Sequence, residues 1–332
     1  MTLLRLFRPG ALTLATLFAL LLAACGQDAD TPETAGTTKG AVPAETTSAE
    51  PSPAAEQTRS VSGKFGEVDI PVRPQRIAGL YLEDNLSALG FEPVVKSEPY
   101  DYLELSSPLF NMYEGNPEGL LAARPDLILL SFWYDEQIVA EFGKIAPTVV
   151  FDWEWGEDGW REQLKGLAEL LGEEEKAERI LGEYEAKAEQ VRTAIHEAIG
   201  DKTVAFLRVD PGRLMLYGDD RGGGFVGPIV YGDLGLAPPA IVREMTWGKR
   251  DPVVISEELI PDIDADYLFL INDESDDQSK KALADLEQSP VWRNVSAVQT
   301  GQVYSADSKI WLNNGIRSNE AKLDFLQSRL KP

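Results

Sequence analysis

The longest ordered pattern in the chain covers residues 173–199. There Ala177, Ile180, Leu181, Tyr184, Ala188, Val191 and Ile195 recur at steps of three, one, three, four, three and four, and the positions between them are mostly charged. One apolar stripe at period 3.6 on a charged cylinder predicts a single amphipathic helix, on the order of 40 Å long at about 1.5 Å per residue. Shorter units of a different kind flank it. Residues 76–80, 126–130 and 148–151 are nearly continuous apolar runs, the mark of strands covered on both faces of a parallel sheet. A short hairpin over 63–70 precedes them, and helices fall between them: one capped by Asp84 or Asn85 with Leu86 and Leu89 facing inward, another over 118–124 stopped by Pro125. Beyond the long helix the rhythm restarts with strands at 203–208, 215–217 and 266–271. The pattern predicts an α/β protein of two doubly wound, Rossmann-like lobes bridged by a single long α-helix. A ligand cleft between the lobes follows, since clefts between domains commonly hold small ligands.

The first sixty residues read differently. Arg5 and Arg8 precede an apolar run over 11–22, too short for a permanent membrane span, and small residues lead to Cys25, the chain's one cysteine. The arrangement resembles a bacterial lipoprotein signal, in which Cys25 receives a diacylglyceryl group and becomes the first mature residue. Residues 26–58 are rich in Thr, Ala, Pro, Glu and Ser with almost no large apolar side chain. Such a composition does not offset its own ordering entropy, so it predicts a flexible tether. The expected organisation is a signal peptide over 1–24, lipidated cysteine and tether over 25–60, a first lobe over 61–172, the backbone helix over 173–199 and a second lobe over 200–332.

Charge and cysteine usage narrow the function classes. With 31 Lys and Arg against 55 Asp and Glu, the formal net charge is −24, so the body is repelled by nucleic acid and by anionic head groups. Membrane contact then rests on the lipid at Cys25. A lone cysteine excludes internal disulfides, thiol redox pairs and cysteine-based zinc sites. His196, the one histidine, falls on the charged long helix as a solvated residue, so no histidine cluster for bare zinc or manganese is present. The acidic run 273–277 lacks the spacing of a calcium loop and reads as a solvated loop. Arg221 and the three glycines after it lack the Gly-Lys-Ser/Thr ending of a phosphate loop and read as part of the cleft rim.

Several strings together resemble the substrate-binding lipoproteins of iron-siderophore ABC importers, whose relatives carry cobalamin or haem. They include Pro74-Gln75-Arg76-Ile77, Asn116-Pro117-Glu118-Gly119-Leu120-Leu121, Arg124-Pro125-Asp126-Leu127-Ile128, Tyr231-Gly232-Asp233-Leu234-Gly235-Leu236 and Ile255-Ser256-Glu257-Glu258-Leu259. Their order covers the chain from about residue 64 to its end. The resemblance implies a non-enzymatic, monomeric receptor that needs no cofactor, binds a ferric siderophore and hands it to an ABC permease dimer. It also implies a small lobe closure on binding, and docking on the permease through Glu118 and Glu258, with the adjacent Glu257 as the alternative to Glu258.

Cleft residues are expected on loops at the carboxyl ends of strands. From the first lobe these are Tyr81, Tyr100, Tyr102, Trp133 and Tyr134; from the second, Arg208, Tyr217, Trp247 and Trp311. Aromatic faces suit an apolar siderophore backbone, and arginine donates to the oxygens around iron. This aromatic supply on an acidic body tilts the expected cargo toward hydroxamates, while Arg213, Arg221, Arg243 and Lys249 would favour catecholates if they converged. Haem would need Tyr81 or Tyr134 as its axial ligand. A carboxylate-dependent glycoside hydrolase is the alternative from another class, although no Gly-x-Ser-x-Gly elbow is present.

Overall fold

The computed structural model describes residues 57–110, 117–151, 159–219 and 225–330, all within one compact unit, Ala55–Pro332. Cys25, the leader, the expected tether up to residue 56 and Arg221 lie outside the described residues. Among the described residues, no helix is long and apolar enough to cross a membrane.

Strands β1 (Thr58–Gly63) and β2 (Gly66–Pro71) form an antiparallel hairpin whose exposure alternates along β1, as for a half-buried ribbon. It begins at Thr58, earlier than the expected lobe boundary at 61. The first lobe is built on β3 (Ile77–Leu80), β4 (Leu127–Leu130) and β5 (Thr148–Val150), a parallel sheet in that order. Every residue of these strands is buried, and all but Gly79 and Thr148 are apolar, as the continuous runs predict. Helices α1 (Glu83–Ala88), α2 (Glu118–Ala123), α3 (Glu136–Phe142) and α4 (Gly159–Leu171) complete the lobe.

Helix α5 (Glu174–Ile199) buries Ala177, Ile180, Leu181, Tyr184, Ala188, Val191, Ile195 and Ile199. That stripe belongs to one hydrophobic cluster that holds Ile77, Leu127 and Val149 of the first sheet together with Val204, Phe206 and Phe269 of the second lobe. The helix is therefore packed into a core common to both lobes. A polar tie runs beside it: Arg161 on α4 and the Tyr184 hydroxyl both reach Asp233, at 2.9 and 2.7 Å.

The second lobe contains β6 (Val204–Asp210), β7 (Arg213–Leu216), α6 (Ala240–Thr246), β8 (Val253–Ile255), β9 (Tyr267–Asn272), α7 (Asp277–Gln288), α8 (Ser296–Gln299), β10 (Val303–Asp307), α9 (Ser308–Trp311) and α10 (Ile316–Arg329). Its sheet runs in the order β10-β9-β6-β7-β8. The first three strands are parallel, whereas β7 returns antiparallel to β6 and β8 antiparallel to β7. The reversal has a local cause: only Pro211 and Gly212 separate β6 from β7, and Gly212 sits at φ 71°. Two residues close a hairpin but leave no room for a parallel crossover.

The structure corrects the capping of α1. Asp84 and Asn85 lie inside the helix, whose N-cap is Leu82. Their side chains cap α10 instead: Asp84 accepts from the Arg317 and Ser318 N–H groups at 2.7 and 2.9 Å, and Asn85 Oδ1 accepts from the Ile316 N–H at 3.0 Å. A helix of the first lobe thus supplies the N-terminal cap of the last helix of the chain.

Candidate functional site

A cavity of about 930 Å³ lies between the lobes, large enough for a ligand of siderophore size. The ends of strands build it. Tyr81 follows β3, Phe132 and Trp133 follow β4, Arg208 and Asp210 close β6, and Asp273 follows β9, as the carboxyl-end rule for α/β sheets requires.

The aromatic wall belongs to the first lobe. Trp133 is 49% exposed, an unusual position for so large an apolar side chain. Its ring meets Tyr81 edge-on at 5.6 Å and Phe132 at 5.1 Å. Tyr81 has φ 59°, in the left-handed region that a bulky residue enters rarely. Its N–H donates to Ser97 Oγ at 3.1 Å, which helps hold that backbone. Such strain at a cleft residue is characteristic of ligand-binding positions. Opposite stands Arg208, with Nε donating to Asp210 Oδ1 at 2.8 Å and the side chain 28% exposed. Tyr217 bonds the same guanidinium.

Of the nine expected ligand residues, Tyr81, Trp133 and Arg208 line the cavity, and the other six are not among its lining residues. Tyr134, Tyr217 and Trp311 are buried to within 2% of full burial, and Trp311 packs between Phe206 and Phe325. Polar neighbours in sequence did not reveal that these rings face the core. Trp247 leans on Tyr231 and Arg243, at 5.5 and 4.6 Å, away from the cavity lining. Tyr100 and Tyr102 serve the acidic start of α1. The Tyr100 hydroxyl donates to Glu83 Oε2 at 3.1 Å, and the Tyr102 hydroxyl faces Asp84. Burial first, and then these carboxylates, push both phenols well above their usual range.

The acidic run at 273–277 is largely exposed, as expected of a solvated loop, and it also borders the cleft. Asp273, Ser275 and Asp276 line the cavity, and Asp276 caps α7 through the Ser279 N–H at 2.7 Å. Sequence reasoning missed Asp273 although it follows a buried strand in the same way as Tyr81 follows β3. It also missed Glu98, Arg250, Lys309 and Asn314, which lie on irregular loops or a four-residue helix with no periodicity to place them. Of the four basic residues that would favour catecholates, Arg221 lies outside the described residues, Arg213 pairs with Asp210 at 3.5 Å, Arg243 stacks on Trp247, and none of Arg213, Arg243 and Lys249 is among the cavity's lining residues. His196 is exposed on α5, with Nε2 3.0 Å from the Leu234 carbonyl. Among the described residues, no group of three or more His, Cys, Asp or Glu side chains is arranged to hold a metal ion.

Behind the aromatic wall, Glu83 is fully buried, with Oε1 accepting from the Ser97 N–H and Oγ at 2.6 Å each. Burial outweighs these hydrogen bonds and raises the carboxyl from 4.5 to about 7. A raised carboxyl favours folding while protonated, so its contribution is full below pH 4.5 and is lost as the pH rises through about 7. The stability of the wild type is expected to fall by about 3 kcal/mol across that window from this group. Glu83→Gln, which keeps an acceptor and cannot ionise, should flatten the fall. Thermal midpoints measured at half-unit steps check this, and equal slopes in both proteins would refute it.

Comparison with known proteins places this architecture. The chain is 29% identical over 331 residues to the iron(3+)-hydroxamate-binding protein FhuD of Bacillus subtilis, covering 97% of each. It is 30% identical to the iron(3+)-hydroxamate-binding protein YxeB of the same organism, over 76% of this chain and 80% of that one. A solved structure of a FhuD-fold periplasmic binding protein component of a Fep/Fec-like ferrichrome ABC transporter, also from Bacillus subtilis, superposes with a TM-score of 0.68. It is 27% identical and covers 81% of this chain and 99% of that one. The periplasmic binding protein family matches residues 82–310, a span that takes in β4, β5, α5 and the whole second sheet, and this chain belongs to that family.

Proposed function

We propose that the protein is a membrane-tethered, non-catalytic receptor that captures a ferric hydroxamate siderophore outside the cytoplasm and delivers it to an ABC permease dimer. The observation that carries this reading is the interlobe cavity with Trp133 and Tyr81 on one wall and Arg208 on the other, in a chain aligned along 97% of its length with a hydroxamate-binding relative. A ferric trihydroxamate core is neutral overall, with an apolar backbone and a ring of oxygens. Aromatic faces suit the backbone and a guanidinium suits the oxygens.

Delivery follows from the exposed acids. Glu118 opens α2 on the first lobe, and Glu257 and Glu258 open a short 3-10 turn, Glu257–Asp262, on the second. All three are exposed. Carboxylates on separate lobes of one rigid body would fix its orientation on basic pockets of a two-fold permease, and the monomer suffices for that geometry. The lipid proposed at Cys25, with its tether, would keep the receptor near the transporter at high effective concentration.

For haem, the cavity keeps one of the two expected axial ligands. Tyr134 is buried, which leaves Tyr81 as the expected axial ligand that lines the cleft. Titration with a ferric trihydroxamate should quench the fluorescence of exposed Trp133, and Trp133→Phe should remove most of the quenching. Absence of any saturable change across hydroxamate, catecholate and carboxylate siderophores would refute the reading.

A further inference from the structure

Tyr81 occupies an uncommon place for a tyrosine. The Leu82 N–H donates to the Gly79 carbonyl at 3.3 Å, which closes a four-residue turn at the end of β3, and Tyr81 is the third residue of that turn, at φ 59°. Turns that need a positive φ at this position favour glycine or asparagine, which enter the left-handed region at low cost. A tyrosine persists there only where its surroundings hold it. What it supplies is the ring, which lines the cleft and meets Trp133 edge-on at 5.6 Å.

The hold comes from behind the wall. Ser97 Oγ accepts from the Tyr81 N–H at 3.1 Å and donates its own proton to Glu83 Oε1 at 2.6 Å. With its one hydrogen committed to the carboxylate, the hydroxyl turns a lone pair to Tyr81. The same Glu83 oxygen accepts from the Ser97 N–H at 2.6 Å, and Oε2 accepts from the Tyr100 hydroxyl at 3.1 Å. Glu83 therefore grips the segment 97–100 at both ends. The two residues between the grips, Glu98 and Pro99, line the cavity, whereas Glu83, Ser97 and Tyr100 are not among its lining residues. One fully buried carboxylate thus fixes two separate pieces of the first lobe's wall from behind.

We infer that Glu83 and Ser97 are positioning residues for ligand capture: without touching the ligand, they hold the Tyr81 ring and the Glu98-Pro99 segment in the arrangement that receives it. This inference rests on the siderophore reading above. A wall ordered before the ligand arrives raises affinity, because the cost of ordering it is met in folding and not in binding. Without Ser97 Oγ the Tyr81 backbone is released toward commoner φ values, and the ring has to be brought back at the expense of affinity.

The test is a double-mutant cycle on the full-length protein, read by fluorescence titration with one ferric trihydroxamate. Ser97→Ala should weaken binding about three- to tenfold, the worth of one hydrogen bond, and Tyr81→Ala should weaken it through loss of the ring. In the Tyr81→Ala background, Ser97→Ala should cost nothing further, because the ring it positions is gone. An additive loss in the double variant would make Ser97 a general support of the lobe and overturn the inference, as would wild-type affinity in Ser97→Ala. Glu83→Leu keeps similar volume and removes both acceptors, so it should lose more than Ser97→Ala; wild-type affinity in that variant would remove Glu83 from the device. If Glu83→Leu fails to fold, the Ser97 cycle still decides. A wild type that binds no ferric siderophore would overturn the siderophore reading and this one with it, whereas a wild type that binds beside an additive cycle overturns this one alone.

Discussion

Replacement of Asp84 by alanine is expected to lower the unfolding free energy by about 3–5 kcal/mol, a loss on the scale of breaking a buried charged network. The residue is 5% exposed, and its two oxygens hold the Arg317 and Ser318 N–H groups that begin α10. Burial raises its carboxyl, while those N–H groups and the charge of Lys322 oppose the rise. Lys322 is itself fully buried, donating to the Phe225 carbonyl and the Asn319 amide oxygen at 2.9 Å each, and to the Asn313 carbonyl. Alanine would strand one buried and one part-buried donor and remove the nearby negative charge that compensates Lys322. The neighbouring chain has no slack to repair this, because a Cβ at Gly315 would already lie 2.1 Å from Asp84 Cγ. Asp84→Asn keeps one acceptor but turns an amide donor toward the other N–H, so about half the loss is expected. Urea unfolding of the three proteins checks the series, and a loss below about 1 kcal/mol for alanine would show that the cap does not hold the lobes together.

The same residue shows how far the sequence could be read. Asp84 and Asn85 are short polar side chains at the start of a helix, and local pattern marks them as caps. The helix they cap begins more than two hundred residues later, which no local rule specifies. Long-period features were readable for the opposite reason. The α5 stripe repeats over 26 residues, and the parallel strands are runs buried on both faces, so each carries its environment in its own sequence. The direction of β7 was readable only from the shortness of its turn at Pro211-Gly212.

Within the candidate site, Tyr81, Trp133 and Arg208 were found because strand ends in α/β sheets face the cleft. Trp311 shares their sequence context but faces inward, against Phe206 and Phe325. Side-chain direction at the end of an irregular segment depends on where the next helix returns, and that is a tertiary property. The place of the acidic run at 273–277 was missed for a related reason. Its composition describes a solvated loop, whereas its place after β9 puts Asp273 on the cleft wall.

Arg208→Met should weaken binding of a ferric trihydroxamate by ten- to a hundredfold, about 1.5–3 kcal/mol for a lost charge-assisted hydrogen bond. The guanidinium enters the cleft already oriented, because Asp210 holds Nε at 2.8 Å and Tyr217 bonds it from the core side. Its remaining donors are therefore fixed before the ligand arrives, and little side-chain entropy is lost on binding. Methionine keeps much of the stem volume and removes every donor. Lysine keeps the charge but places a single flexible ammonium where a planar fork was held, so Arg208→Lys should recover only part of the affinity. Stability should change little in either variant, since Arg208 is partly exposed and its pair with Asp210 is of the weak, solvent-screened kind. Titration of the three proteins with one ferric trihydroxamate, beside urea unfolding, separates the two effects. Unchanged affinity in the methionine variant would remove Arg208 from the binding site, and a large loss of stability would make it a structural residue.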